Sequence, residues 1–257
     1  MRDTVSPDLR ATLRSLKLGQ MLATLPERLT LARQQKMPHA DFLQLVLADE
    51  VTRRDAKSAS LRARAAGLDA AMRLDTWDET AAVTYDRQLW NELASLRFLD
   101  GPHGALLLGP VGVGKTHLAC ALGHIAIRRR RTVHMTPAGK LFKRLKAARL
   151  DSTLDAEMRR LAGADLLIID DLALQALDAT ETADFYQLCV ERHRKASTIV
   201  TSNRTPEEWL PMMADPLLAQ SAVDRLASTA HELIIEGPSY RQRQRPAIRQ
   251  DSTDAPD

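Results

Sequence analysis

The chain has 257 residues, 44% of them apolar and 27% charged, with a formal net charge of +3. That balance excludes an intrinsically disordered chain, and the length gives one or two domains a core of ordinary size. No apolar run approaches the roughly 18 residues of a membrane span, and the opening MRDTVSPDLR has no apolar stretch after its Arg to make a signal peptide.

Residues 8–66 read as helices. Leu9, Leu13, Leu16 and Leu18 open an apolar pattern that Met21, Leu22, Leu25, Leu29 and Leu31 continue. After Met37-Pro38, a run of Phe42, Leu43, Leu45, Val46 and Leu47 leads into a charged, Ala-rich helix from Asp49 to Ala66. Gly67 is a break, so residues 1–67 are expected as a small all-helical domain. Its leucine-rich faces suit assembly or the docking of DNA or a partner, and the sequence does not separate these roles. Residues 68–102 are expected to form a linker of weak periodicity and then a helix over 85–98.

From His103 the pattern changes. Short apolar runs at Ala105–Leu108, Thr132–Met135, Leu166–Ile169 and Thr198–Thr201 alternate with helical segments near 115–131, 137–149, 154–162 and 179–194. A helix near 215–228 and a last strand at Glu232–Ile235 follow. Strands alternating with helices predict an α/β domain over 103–246, a parallel sheet flanked by helices. Residues 247–257 read as a disordered tail. Cys120 and Cys189 fall within helical apolar patterns and are expected as reduced core thiols in a cytoplasmic protein.

The chemistry begins at residues 109–116, Gly109-Pro110-Val111-Gly112-Val113-Gly114-Lys115-Thr116, which fit G-x-x-x-x-G-K-[ST] between a predicted strand and a predicted helix. The glycines let backbone N–H groups turn inward around phosphate oxygens, and the start of the helix adds its positive dipole end. Lys115 reaches the β- and γ-phosphates of ATP, and the Thr116 hydroxyl suits Mg²⁺; His117 follows directly. Leu166–Asp171 is a buried strand ending in two carboxylates beside that loop. Asp170 is expected to hold Mg²⁺, and Asp171 to orient or deprotonate the attacking water. Ser197–Asn203 offers a third strand, ending in Thr201-Ser202-Asn203, that brings a neutral amide toward the γ-phosphate.

These elements, in this order, resemble the AAA+ ATPases and more closely the IstB-like family, the ATP-binding helper proteins of bacterial insertion-sequence transposition, related to the DnaC helicase loaders. The resemblance rests on GPVGVGKTHLA (109–119), LLIIDDL (166–172), TSNRTPEEW (201–209), DPLLAQSAVDRL (215–226) and EGPSYR (236–241). LRSLKLGQMLATLPERL (13–29) and FLQLVLADEVTRRDAK (42–57) extend it over the helical domain. It implies a P-loop AAA+ core, an ATP-regulated homo-oligomer on duplex DNA, and recruitment and stimulation of a cognate transposase. It also implies that Arg225 acts across a subunit interface on a neighbour's γ-phosphate. Two features depart from the broader pattern. The second acid is Asp171 rather than Glu, which favours slow hydrolysis, and about twenty residues after Glu236 are too few for a C-terminal helical lid. A DnaC-like helicase loader, a small-molecule kinase on the same phosphate loop and a non-hydrolysing nucleotide switch are the rival readings.

For DNA, charge is the guide. Residues 128–149 hold nine Lys/Arg and no acid, 161–191 hold seven acids and no base, and Arg241, Arg243, Arg245 and Arg249 lie in a further basic run. Such blocks predict a polyanion-facing surface separate from an acidic one. The candidates are a helical stripe of Lys140, Lys143 and Arg144, and a second group of Arg53, Arg54 and Lys57. Aromatics make up 4% of the chain, too few for base stacking, so contact through the duplex backbone is expected. Trp77 and its neighbours are candidates for the adenine end of the site.

Overall fold

The computed structural model describes residues 5–78, 82–101 and 103–240. The tail 247–257 and the arginines Arg241, Arg243, Arg245 and Arg249 lie outside the described residues. Packing divides the chain into two units, residues up to Leu61 and residues from Arg62 onward.

The first unit is built from α1 (Pro7–Ser15), α2 (Leu25–Gln34) and the first part of α3 (His39–Ala65). Ser6 caps α1, its Oγ accepting from the Leu9 N–H at 3.2 Å, and Pro7 sits in the first turn, where a missing N–H costs nothing. Val5, Leu13, Met21, Leu25 and Val46 form its small core, with Leu29 and Phe42 packed against it. Glu50, only 4% exposed, is held at 2.8 Å by Arg53 and at 2.7 Å by Arg54. Arg54 also donates to the Lys17 carbonyl at 2.9 Å. The two arginines expected to face DNA thus share one buried carboxylate; Arg54 and Lys57 are exposed.

The second unit adds α4 (Arg87–Ser95), then β1 (Gly104–Leu108), α5 (Lys115–Arg128), β2 (Val133–Pro137), α6 (Ala138–Leu150), α7 (Leu154–Ala162) and β3 (Leu166–Asp170). After these come α8 (Ala179–Arg192), β4 (Ser197–Ser202), the single turn α9 (Pro206–Trp209), α10 (Pro216–Ala227) and β5 (Ala230–Ile234). The five strands form one parallel sheet in the order β2-β3-β4-β1-β5. This is the expected α/β sheet flanked by helices. β1 and β3 are buried along their whole length, as strands covered on both faces must be. The main core packs Phe142, Leu145, Leu161, Phe185 and Trp209 against one face of the sheet.

The charge blocks are not separate surfaces. Lys146 of α6 lies 2.7 Å from Asp178 and 2.8 Å from Glu181, Arg149 lies 2.5 Å from Asp184, and Arg144 lies 2.7 Å from Glu157 of α7. Arg131 pairs with Asp100 at 2.5 Å, and Arg129 donates to the Ser95 carbonyl. Helices α6 and α8 pack on the same side of the sheet, so acids distant in sequence neutralise the basic run. In the stripe read from sequence, Arg144 carries that ion pair, and Lys140, Lys143 and Arg144 are all exposed.

Candidate nucleotide site

Parallel strands deliver their C-terminal ends to one edge, and β4 lies between β1 and β3. The phosphate loop leaves β1, the two acids end β3, and Asn203 follows β4. A cavity of about 450 Å³ opens here, and Lys115, Thr116, Asp171 and Asn203 are among the residues that line it.

The loop is held by its own residues. Val113 is buried, and Lys115, 6% exposed, donates from Nζ to the Gly109 and Pro110 carbonyls, both at 2.8 Å. Gly112 and Gly114 have φ of +88° and +98°, where a side chain is strained. At each position, space is also lacking. A Cβ on Gly112 would lie 2.2 Å from Ser239 Oγ, and one on Gly114 would lie 2.6 Å from the Trp77 ring.

The second half of the site turns on Thr201. Asp170 Oδ1 accepts from the Thr116 hydroxyl at 2.9 Å and from the Thr201 hydroxyl at 2.6 Å. The same Thr201 Oγ1 accepts from the Asp171 N–H at 2.9 Å, and its carbonyl accepts from Leu172 at 2.9 Å. Asp171 and Ala173 both have positive φ, 55° and 57°, so the chain leaves β3 in a tight, unusual turn, with Asp171 on the cavity wall and Leu172 buried. Ser202 completes the frame: its Oγ donates to the Leu172 carbonyl at 2.8 Å and accepts from the buried Trp209 Nε1 at 3.0 Å. The sequence marks Thr201 and Ser202 only as part of a Thr-Ser-Asn strand end. Their bracing role depends on β4 lying next to β3, which no local pattern encodes.

Thr116 and Asp170, expected to hold Mg²⁺, are thus in contact. Hydroxyl and carboxylate oxygens suit that hard cation, which takes few protein ligands and completes its shell with phosphate and water. Among the described residues no cluster of three or more His, Cys, Asp or Glu could hold a metal alone, in keeping with a site completed by nucleotide.

Met72, Trp77, Val83, Pro238 and Tyr240 supply apolar groups to the same cavity wall, Trp77 standing against Gly114. The segment after β5 crosses the loop here. Tyr240 N–H donates to the Gly112 carbonyl at 2.9 Å, and Glu236 pairs with Thr84 through two backbone hydrogen bonds of 2.8 and 2.9 Å. His117 also lines the cavity, its Nε2 2.8 Å from the Arg73 carbonyl. Arg225 does not line it. Near the end of α10 it bonds the Ser221 carbonyl at 2.8 Å and lies over the Tyr186 ring, 5.7 Å from its centroid.

The model of the IstB-like ATP-binding protein matches residues 11–247. The chain belongs to the IstB-like family. An ATP-binding protein of a Mycobacterium tuberculosis insertion sequence is 36% identical over 241 residues, covering 93% of this chain and 96% of that one. The insertion sequence IS21 ATP-binding protein of Pseudomonas aeruginosa is 32% identical over 238 residues, covering 93% and 90%. Among solved structures, the DnaC helicase loader shares the fold at a TM-score of 0.57 and 20% identity, over 65% of this IstB-like chain and 98% of that one. AMPPCP-bound DnaA from Aquifex aeolicus does so at 0.54 and 21%, over 64% and 50%. The fold is therefore that of the AAA+ core.

Proposed function

We propose that this IstB-like chain hydrolyses ATP as the switch of a transposition helper, which assembles on duplex DNA and brings a transposase to it. One observation carries the reading: Lys115, Thr116, Asp171 and Asn203 line one cavity, with the buried Asp170 bonded to Thr116, in a chain whose relatives are insertion-sequence ATP-binding proteins. The loop N–H groups and Lys115 bind the β- and γ-phosphates. Thr116 and Asp170 hold Mg²⁺, which when bound neutralises charge on those phosphates. Asp171 orients the attacking water and receives its proton, and Asn203 positions that water or a γ-oxygen. The adenine lies against Trp77, which lines the cavity.

Arg225 does not line its own chain's cavity, and in this reading it completes the site of a second copy. Its guanidinium then stabilises charge that develops on the transferred phosphoryl group, which ties hydrolysis to assembly. Lys140, Lys143 and Lys57, all exposed, are among the cations that would meet duplex phosphates. The test is phosphate release from MgATP, with no acceptor added, by the wild-type chain and by Asp171→Asn, each with and without duplex. Release by the wild type that falls in Asp171→Asn while ATP binding persists supports the reading. Equal release by both overturns the role of Asp171, and no release under any condition reduces the site to a binding switch.

A further inference from the structure

One face of α5 is fastened along its length to the segment that leads from α3 to the cavity. The segment runs antiparallel to α5. Arg62 donates to the Ile127 carbonyl at 3.1 Å, and Leu68, buried, sits on Gly123 with a methyl 2.7 Å from where a Cβ would stand. The Asp69 carbonyl faces His124 Nε2 at 2.8 Å and Cys120 Sγ at 3.6 Å. The Arg73 carbonyl faces His117 Nε2 at 2.8 Å, and Trp77 closes the run on Gly114. Positions 114, 117, 120, 124 and 127 recur every three or four residues, so they share one helical face.

A ring nitrogen 2.8 Å from a carbonyl oxygen must carry the proton, so both histidines donate from Nε2. Between the two clips the segment ties itself into a turn: Thr76 Oγ1 donates to the Ala71 and Arg73 carbonyls and accepts from the Arg73 N–H at 3.0 Å. Burial pushes the Cys120 thiol up to about 11, so it stays a neutral donor. The ring of His117 meets that of Trp77 edge-on, with centroids 5.2 Å apart. Met72 and Trp77 of the cavity wall are thus carried by a segment with little regular structure, whose position depends on donors from the phosphate-loop helix itself.

We propose that His124 and His117 are positioning residues for nucleotide binding: they hold residues 69–77, and with them Met72 and Trp77, at the distance from the phosphate loop that a nucleoside requires. The proposal rests on the ATP-binding reading above. His124 does not line the cavity and lies about 12–14 Å along α5 from Thr116 and Lys115, so its effect passes through the segment and not through contact with nucleotide. A ligand with phosphates and no base needs the loop alone and is indifferent to the clips.

The experiment compares equilibrium binding of MgATP and of inorganic tripolyphosphate to the wild type, His124→Ala and His124→Gln. Loss of one net hydrogen bond weakens MgATP binding about three- to tenfold in His124→Ala. Tripolyphosphate affinity stays within about twofold of wild type, and His124→Gln, whose amide N–H reaches the same carbonyl, recovers most of the loss. Equal weakening of both ligands, or unchanged MgATP binding in His124→Ala, overturns the proposal while leaving wild-type ATP binding as the separate check on the site. Amide exchange in the wild-type chain gives an arm that needs no variant: ATP slows exchange across 69–77 and tripolyphosphate does not. Equal protection by the two ligands also overturns it.

Discussion

Thr201 shows how much of the site hangs on one hydroxyl. It donates to Asp170 and accepts from the Asp171 backbone, so it sets both acids at once. Thr201→Val keeps the shape, leaves the Asp171 N–H without that acceptor and removes a bond to a carboxylate. Hydrogen bonds to charged groups contribute about 1.5–3 kcal/mol, so ATP turnover should fall about tenfold or more, with ATP affinity changed far less. Steady-state phosphate release beside a binding isotherm separates the two. Lys115→Ala should abolish nucleotide binding outright, checked by the same isotherm. In the first unit, Arg53 and its neighbour Arg54 hold the Glu50 carboxyl down at about 2, against its ordinary 4.5. A depressed carboxylate pKa stabilises the fold fully above about pH 4.5, and that stabilisation disappears as the pH falls through about 2. Glu50→Gln should lower the thermal midpoint by about 5 °C at pH 7 and flatten its fall between pH 5 and 2, read by circular dichroism.

At the scale of elements, most of the α/β alternation was legible because buried parallel strands are short unbroken apolar runs and their flanking helices are amphipathic. Leu166–Asp170 matches its predicted strand to within one residue, and the helix over 154–162 coincides with α7. The phosphate loop was legible because its chemistry is local: eight consecutive residues do the work. What escaped depends on packing between distant segments. The acidic and basic blocks read as opposite surfaces, yet α6 and α8 bring them together, so that Arg149 neutralises Asp184, a carboxyl only 4% exposed that burial pushes upward. Arg149→Ala should therefore destabilise the second unit by about 3 kcal/mol, since it strands a buried acid, and leave DNA affinity largely intact. Lys140→Ala with Lys143→Ala should do the reverse: little change in stability, and a shallower dependence of duplex binding on salt by about two in slope. Chemical denaturation and a salt titration of duplex binding distinguish the two variants. The residues 68–102 read as linker and helix, but they supply Met72, Trp77 and Val83 to the cavity wall. Their role is set by α5, which no periodicity within the segment reveals.

At the scale of the whole molecule, Arg225 lies on α10 above Tyr186, off the wall of its own chain's cavity. The proposed role in hydrolysis therefore rests on a second copy. Arg225→Ala should keep nucleotide affinity and lose turnover, whereas a purely structural arginine would leave turnover per folded chain unchanged. No helix among the described residues is long and apolar enough to cross a membrane. The decisive measurement is light scattering of the full chain with a long DNA duplex, with and without MgATP, across a salt series, and with a single strand in parallel. Large complexes that need MgATP, form on duplex in preference to single strand and dissolve as salt rises are the predicted result. A particle of the same small mass in every condition would contradict an ATP-dependent assembly on DNA, and assembly on single strands alone would move the chain's work toward helicase loading.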